Sequence, residues 1–315
     1  MYRTFCLAIF SIALLSAFPA AGAGQSKRVA ADPASRSITV VTEPGSAVWI
    51  DSVLFGKTGG DGRLTINAVP SGNRTLRVRR KGSKEVAKPL SAIKDEITIT
   101  LTPVTDPADV AYQEAVEFTT IDRQKAIAAF EKAIKLRPRF PEAYLGLART
   151  LTESGDFERA DKTLRALKRI KPVYAEASAV EGRLYKDLDD EPKAIASFKR
   201  AIMQGGGFQP EAYTGLGLLY KEKAENAGSE GDYAAETANY TEAAKYLAVA
   251  AKQLASAADA PVVFQLLGLV YEKQKQYDEA IAVYQEFLRL FPDSPEASAV
   301  RSFIVQIKKQ TARPE

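Results

Sequence analysis

The sequence predicts a mainly α chain: an α-solenoid of about five helix-turn-helix units closed by a capping helix, preceded by a small all-β sandwich. Two observations carry the helical part. Small and aromatic residues recur in register at a spacing of 34, as Ala126-Phe130-Ala133-Pro138, Ala160-Leu164-Leu167-Pro172 and Ala194-Phe198-Ala201-Gly206. The stretch Pro261 to Pro292 repeats the same columns, and a unit of that kind cannot bury both of its apolar faces without neighbours. A third observation carries the β part: over residues 37–103 the apolar period drops to two, with turn signals between short runs.

Residues 1–23 read as a secretory signal, with Arg3 ahead of the apolar run Phe5 to Phe18 and Ala21-Gly22-Ala23 as the cleavage site. The alternative is an uncleaved inner-membrane anchor, which the run is short for, since a spanning helix needs roughly 20 residues. The expected location is therefore the periplasm or cell surface. Cys6, the only cysteine, falls inside this segment, so the mature chain would hold no disulfide. Residues 24–36 are small and polar, as in a linker.

The β part begins with Ile38 and Val40, turns at Glu43-Pro44-Gly45-Ser46, and continues as Ala47-Val48-Trp49-Ile50-Asp51. Turn-rich residues follow around Phe55-Gly56 and Gly59 to Gly62. Further strands are expected at Leu64 to Ile66, Thr75 to Arg79 and Glu96 to Leu101. Trp49, mid-strand between Val48 and Ile50, is expected in the core. Residues 37–103 resemble the PEGA domain, a small β-sandwich of bacterial envelope and surface proteins. The likeness rests on Thr39-Val40, Glu43 to Asp51, Gly56-Lys57-Thr58, Pro70 to Asn73 before Leu76-Arg77-Val78, and the closing Ile97 to Leu101. Two positions depart from that pattern: Gly59 stands where a proline usually follows, and Asp51-Ser52 replaces Asp-Gly.

Asp106 before Pro107 is a helix N-cap with proline at the first helical position, and helix is expected from there to near the end, over residues 104–311. The columns Phe264, Leu267, Gly268, Tyr271, Tyr277, Ala280, Tyr284, Pro292 resemble one unit of the tetratricopeptide repeat (TPR), whose pattern is W-x2-L-G-x2-Y…A-x3-F…P. Units fall near 107–140, 141–174, 175–209, 210–260 and 261–294, with the capping helix at 295–310. In the fourth, the spacing from Gly217 to Ala243 exceeds that from Gly182 to Ala194 by 14, which reads as a lengthened hairpin capped by Asp232. Tyr233, Tyr240, Leu247 and Leu254 make one stripe on it.

Histidine is absent, which excludes imidazole-based nucleophile systems and Cys/His zinc sites. Gly205-Gly206-Gly207 lacks the strand before it and the Lys-Ser/Thr after it of a phosphate loop, and Asp187 to Glu191 lacks the spacing of a calcium loop. No enzyme, cofactor or metal is expected. Net charge is +4, divided as +6 over residues 27–103 and −3 over 104–315, with Arg3 making the balance. Arg77 and Arg79 share a strand face. That face is either a site for an anionic envelope polymer or a solvated sheet surface whose charges discourage edge pairing. Nucleic acid is not an expected partner.

The TPR resemblance implies a ligand groove lined by the first helix of each unit. Its register places Leu145, Arg149, Thr152, Ala179, Arg183, Lys186, Thr214, Leu218, Lys221, Gln265, Leu269 and Lys273 there. Arg149, Arg183, Lys186 and Lys221 form a basic patch suited to an acidic or C-terminal peptide, unless Glu142, Glu153, Glu211 and Glu222 neutralise it. The asparagines of the family's carboxylate clamp are missing. The expected function is a non-catalytic envelope scaffold that binds a partner protein or peptide in the groove, positioned by the β-domain. The alternative is a carbohydrate- or peptidoglycan-associated protein that binds through Trp49 and the Arg77/Arg79 face.

Overall fold

The computed structural model describes residues 36–311; the signal reading (1–23) and nearly all of the linker reading (24–36) lie outside the described residues. Seven strands form two sheets: β1 (Ile38–Val41), β2 (Ala47–Ile50), β3 (Val53–Lys57), β4 (Arg63–Ile66), β5 (Thr75–Arg79), β6 (Val86–Pro89) and β7 (Glu96–Thr98). One sheet has the order β4-β1-β7, with β7 parallel to β1, and the other β3-β2-β5-β6. Ile38, Val40, Val48, Ile50, Leu76 and Val78 fill the core between them. The turn and the Gly-Lys-Thr stretch are stitched together: Thr58 Oγ donates to the Glu43 carbonyl at 2.7 Å, and the Ser46 amide donates to Thr58 Oγ at 2.9 Å.

Three sequence expectations change here. β3 occupies a stretch read as turns, because Gly56 interrupts its apolar pattern while Val53 and Phe55 still alternate into the core. β6 is an edge strand ending in Pro89, too polar to announce itself. Trp49 is not in the core. Val48 and Ile50 take the inward positions, so the two-residue period of a strand turns Trp49 to the outer face of its sheet.

Eleven helices follow among the described residues: α1 (Pro107–Phe118), α2 (Arg123–Leu136), α3 (Pro141–Glu153), α4 (Phe157–Ile170), α5 (Ala175–Asp187), α6 (Glu191–Gln204), α7 (Pro210–Ser229), α8 (Tyr233–Leu254), α9 (Ala260–Lys273), α10 (Tyr277–Leu290) and α11 (Ala297–Thr311). Asp106, Asp122, Asp156, Asp190 and Asp232 each cap a helix by accepting a backbone N–H, which satisfies a donor the helix cannot. The pairs α1–α2, α3–α4, α5–α6, α7–α8 and α9–α10 are hairpins.

The small-residue columns are close-approach points. A Cβ on Gly182 would stand 2.5 Å from the Phe198 ring, and one on Gly215 of the next hairpin 2.3 Å from the same ring. Phe198 is thus gripped by its own unit and its neighbour, which only glycine on both sides permits. Gly268 admits Tyr284 in the same way. In the fourth hairpin α7 and α8 have 20 and 22 residues, against 13 and 14 in α5 and α6, so each gains about two turns.

First helices of adjacent units touch, α3 with α5 and α5 with α7, while second helices make no comparable contact. The stack therefore curves with its first helices on the inside.

Candidate partner-binding groove

The inner face is built by α3, α5 and α7, first helices that touch; α9 packs against α8, and the repeat register carries the same columns on to it. Arg149 and Arg183 hold one level, which Leu218 and Leu269 continue; Leu145 lies one turn earlier on α3. Lys186, Lys221 and Lys273 stand one turn further along their own helices. Leu145 and Leu218 are half-buried, while Leu269 is 38% exposed. Two residues of the register do not reach the surface. Ala179 is buried in the packing of α5, and Thr152 is buried with its hydroxyl donating to the Ala148 carbonyl at 2.9 Å.

Each cation of the basic patch meets a glutamate. Arg149 on α3 donates to Glu211 on α7 at 2.7 Å, and Arg183 on α5 donates to Glu153 on α3 at 3.1 Å. Lys186 on α5 pairs with Glu222 on α7 at 2.8 Å, and Lys221 pairs with Glu225 along its own helix at 2.7 Å. The charge of Glu211 raises the already high pKa of Arg149, against the opposing pull of burial. The groove cations are thus arranged as a ladder: Arg183 and Lys186 tie adjacent units, Arg149 spans the unit between, and Lys221 pairs within α7. Lys273 stands outside the ladder, exposed and without an ion pair among the described residues. Of the four neutralising glutamates read from the sequence, Glu153, Glu211 and Glu222 act in the ladder, Glu225 does so unforeseen, and Glu142 forms no ion pair among the described residues.

The inserted hairpin divides its aromatic stripe. Tyr240, Leu247 and Leu254 are buried against the body of the solenoid, and Tyr233, at the hairpin tip, is 72% exposed.

The other candidate face is turned toward the helices. Arg77 forks onto Glu85 at 2.7 and 3.0 Å and reaches the Asp51 carbonyl at 3.3 Å. Burial opposes its charge, yet Glu85 outweighs that and holds the pKa above the ordinary arginine value. Arg79 lies 4.7 Å from the Trp49 ring and 5.3 Å from the Tyr112 ring, and donates to the Tyr112 hydroxyl at 3.3 Å. Both guanidiniums are therefore spent on internal contacts, and Trp49 is a stacking surface for one of them.

One functional-looking residue escaped the sequence reading. Glu181 on α5 is only 7% exposed and occupies the column that holds Leu147, Leu216 and Leu267 in other units. Its carboxylate takes Lys168 from α4 and Arg200 from α6, with Ser197 at 3.3 Å. A comparison of that column would have exposed it, as a charge where three leucines stand. Among the described residues no group of acidic side chains is placed to hold a metal ion, and no helix is long and apolar enough to cross a membrane.

The chain carries tetratricopeptide repeats: models of that family match residues 122–184 and 261–294. Its helical part has the TPR solenoid fold. Yeast Tom70 is similar in fold, at TM-score 0.52 and 20% identity over 65% of this chain and 41% of Tom70. A thermophilic TPR protein of Thermus thermophilus aligns at TM-score 0.46 and 21% identity, over 64% of this chain and 98% of its own. PilW, a type IV pilus biogenesis factor, aligns at TM-score 0.47 and 17% identity, over 66% of this chain and 93% of its own. No curated protein matches the sequence. TPR proteins are generally protein-interaction scaffolds or adaptors, typically without catalysis.

Proposed function

We propose that this protein is a non-catalytic scaffold of the bacterial cell envelope that holds an extended segment of a partner protein along the inner face of α3, α5, α7 and α9. The observation that carries this reading is the character of that face. Its leucines are left partly open between ion pairs that already neutralise its cations, so the face offers apolar contact and little net charge. Recognition then rests on Leu145, Leu218 and Leu269, with Lys273, which has no ion pair among the described residues, to orient a carboxylate, rather than on a clamp by Arg149 and Arg183. Export by residues 1–23 and a PEGA-like role of the sandwich in positioning the protein belong to the same proposal. The stitching of Glu43 to Ser46 onto Thr58 supports the second, because the two motif pieces behind the resemblance meet in space.

The test places a photo-crosslinking residue at Leu145 or Leu269, and as control at Met203 on the outer helix α6, in the full chain expressed in its native envelope. The expected result is one partner captured from both inner positions, lost with Lys273→Glu, and absent from Met203. Equal capture at Met203, or capture indifferent to Leu218→Asp and Lys273→Glu, overturns the groove. Export is read separately, by fractionation and the N-terminal sequence of the mature chain; an uncleaved cytoplasmic chain refutes it.

A further inference from the structure

TPR units touch only their neighbours, so small changes in rotation between units add up along a solenoid and the superhelix is springy. The β-sandwich breaks that rule, because it touches the helices at three separated places. At α1, the Gln113 side chain accepts from the Gly82 amide and donates to the Ser83 carbonyl, both at 2.8 Å. Lys81 pairs with Glu117 at 2.6 Å, and Arg79 lies between Trp49 and Tyr112. At the junction of α6 and α7, the Arg74 guanidinium stacks 3.7 Å over the Phe208 ring. At the junction of α8 and α9, the Ala258 amide donates to the Leu54 carbonyl at 3.0 Å. There Ser256 Oγ also bridges the Ala68 amide and carbonyl, each at 3.3 Å.

We propose that the β-sandwich is a releasable tie-rod. It joins the first unit to the third-fourth and fourth-fifth junctions, holds the rotation between them, and so sets the width of the inner face. The chemistry argues for release as well as for holding. The contact at α1 consists of an ion pair, a cation–π stack and hydrogen bonds, the polar composition of interfaces that open and that salt and competing polar groups weaken, whereas toward α7–α11 the apolar core of the sandwich runs on into that of the helices and holds. On release at α1, Tyr112 loses the Arg79 guanidinium, which stays over Trp49 on the sandwich itself, and the covered side of that pair is opened to water. The inference stands on the intramolecular contacts alone and is independent of what the groove binds.

Trp49 is the only tryptophan of the chain, so its fluorescence reports the tie directly. In the full chain, Gln113→Ala with Glu117→Lys sets a lysine against Lys81 on the exposed side of α1 without entering a core. Acrylamide quenching of Trp49 is expected to rise roughly twofold as the half-covered indole opens, with a larger radius of gyration by small-angle scattering and unchanged helical circular dichroism. Adding Lys81→Glu restores the attraction with reversed signs and should return both readings. Wild type in high salt gives the same opening without a substitution, should the double variant lose helix. Quenching and radius that ignore both salt and the Glu117→Lys variant overturn the proposal. Quenching that rises at constant radius overturns it too, since the sandwich would then hold no spacing.

Discussion

The third and fifth units are built on one frame and glued differently. In each, a glycine of the first helix receives an aromatic of the second: Gly182 with Phe198, Gly268 with Tyr284. One residue earlier the fifth unit has Leu267, buried and apolar, while the third has Glu181 bridging α4 and α6. The glycine-aromatic pair fixes how closely the helices approach, because backbone separation is what it controls. The neighbouring column only has to be filled, and it tolerates an ion triad as readily as a leucine when two cations can reach it.

Perturbing the shared frame should therefore cost most. Phe198→Ala removes a fully buried ring held by two units, and the expected loss is about 3–5 kcal/mol in denaturant unfolding. The glycines come next. Gly182→Leu and Gly268→Leu should each cost about 1–3 kcal/mol by overpacking, with Gly182 the worse. Its added Cβ meets the anchored Cγ of Phe198 at 2.8 Å, whereas at Gly268 the close atoms are the outer edge of Tyr284. Melting temperatures unchanged from wild type would break the claim that approach distance rules both units, and equal losses would break the ranking between them.

Tyr284 offers a pH reading of the glycine-aromatic pair of the fifth unit, which Phe198 in the third has no hydroxyl to give. Burial, and then the hydrogen bond its hydroxyl gives Glu272 at 2.6 Å, raise its pKa above the ordinary tyrosine value. A raised folded pKa means a contribution that is whole below the unfolded value of about 10 and lost as pH climbs past it. The stability gap between wild type and Tyr284→Phe should therefore shrink on alkaline titration. A gap independent of pH up to the onset of general unfolding refutes the assignment.

The glue itself should matter least. Glu181→Leu restores the column's usual residue. Lys168 and Arg200 are about a third exposed and can turn to water, so stability should stay within about 1 kcal/mol of wild type or rise. A loss as large as that of Phe198→Ala would show that the triad, not the glycine-aromatic pair, holds the third unit. In the groove ladder, Arg149→Ala should cost only about 0.2–1 kcal/mol, since Arg149 and Glu211 are partly exposed and screened.

Much of this fold was legible because a repeat states its own register. Gly182 and Gly217 are about one unit apart, the longer step to Gly268 carries the inserted hairpin, and the capping aspartates Asp106 and Asp232 sit where local hydrogen bonding requires them. Misreadings arose where the signal was short or two-sided. Trp49 was placed by its apolar neighbours instead of by strand alternation, and β3 was hidden by one glycine. The candidate groove was legible as a set of columns but not as a charge pattern. Arg149 finds Glu211 across the intervening unit, a separation of 62 residues that no helical spacing predicts.

The sequence by itself determined the succession of a β part and a helical part, the repeat period and the long fourth hairpin. All of these follow from local periodicity, which is a property of the chain. Only the tertiary structure decided which charges remain available. Whether Arg149, Arg183, Lys186, Arg77 and Arg79 meet a partner or an internal counter-charge depends on the rotation from one unit to the next and on where the sandwich docks. Those are long-range quantities, set by packing between segments that the sequence keeps far apart.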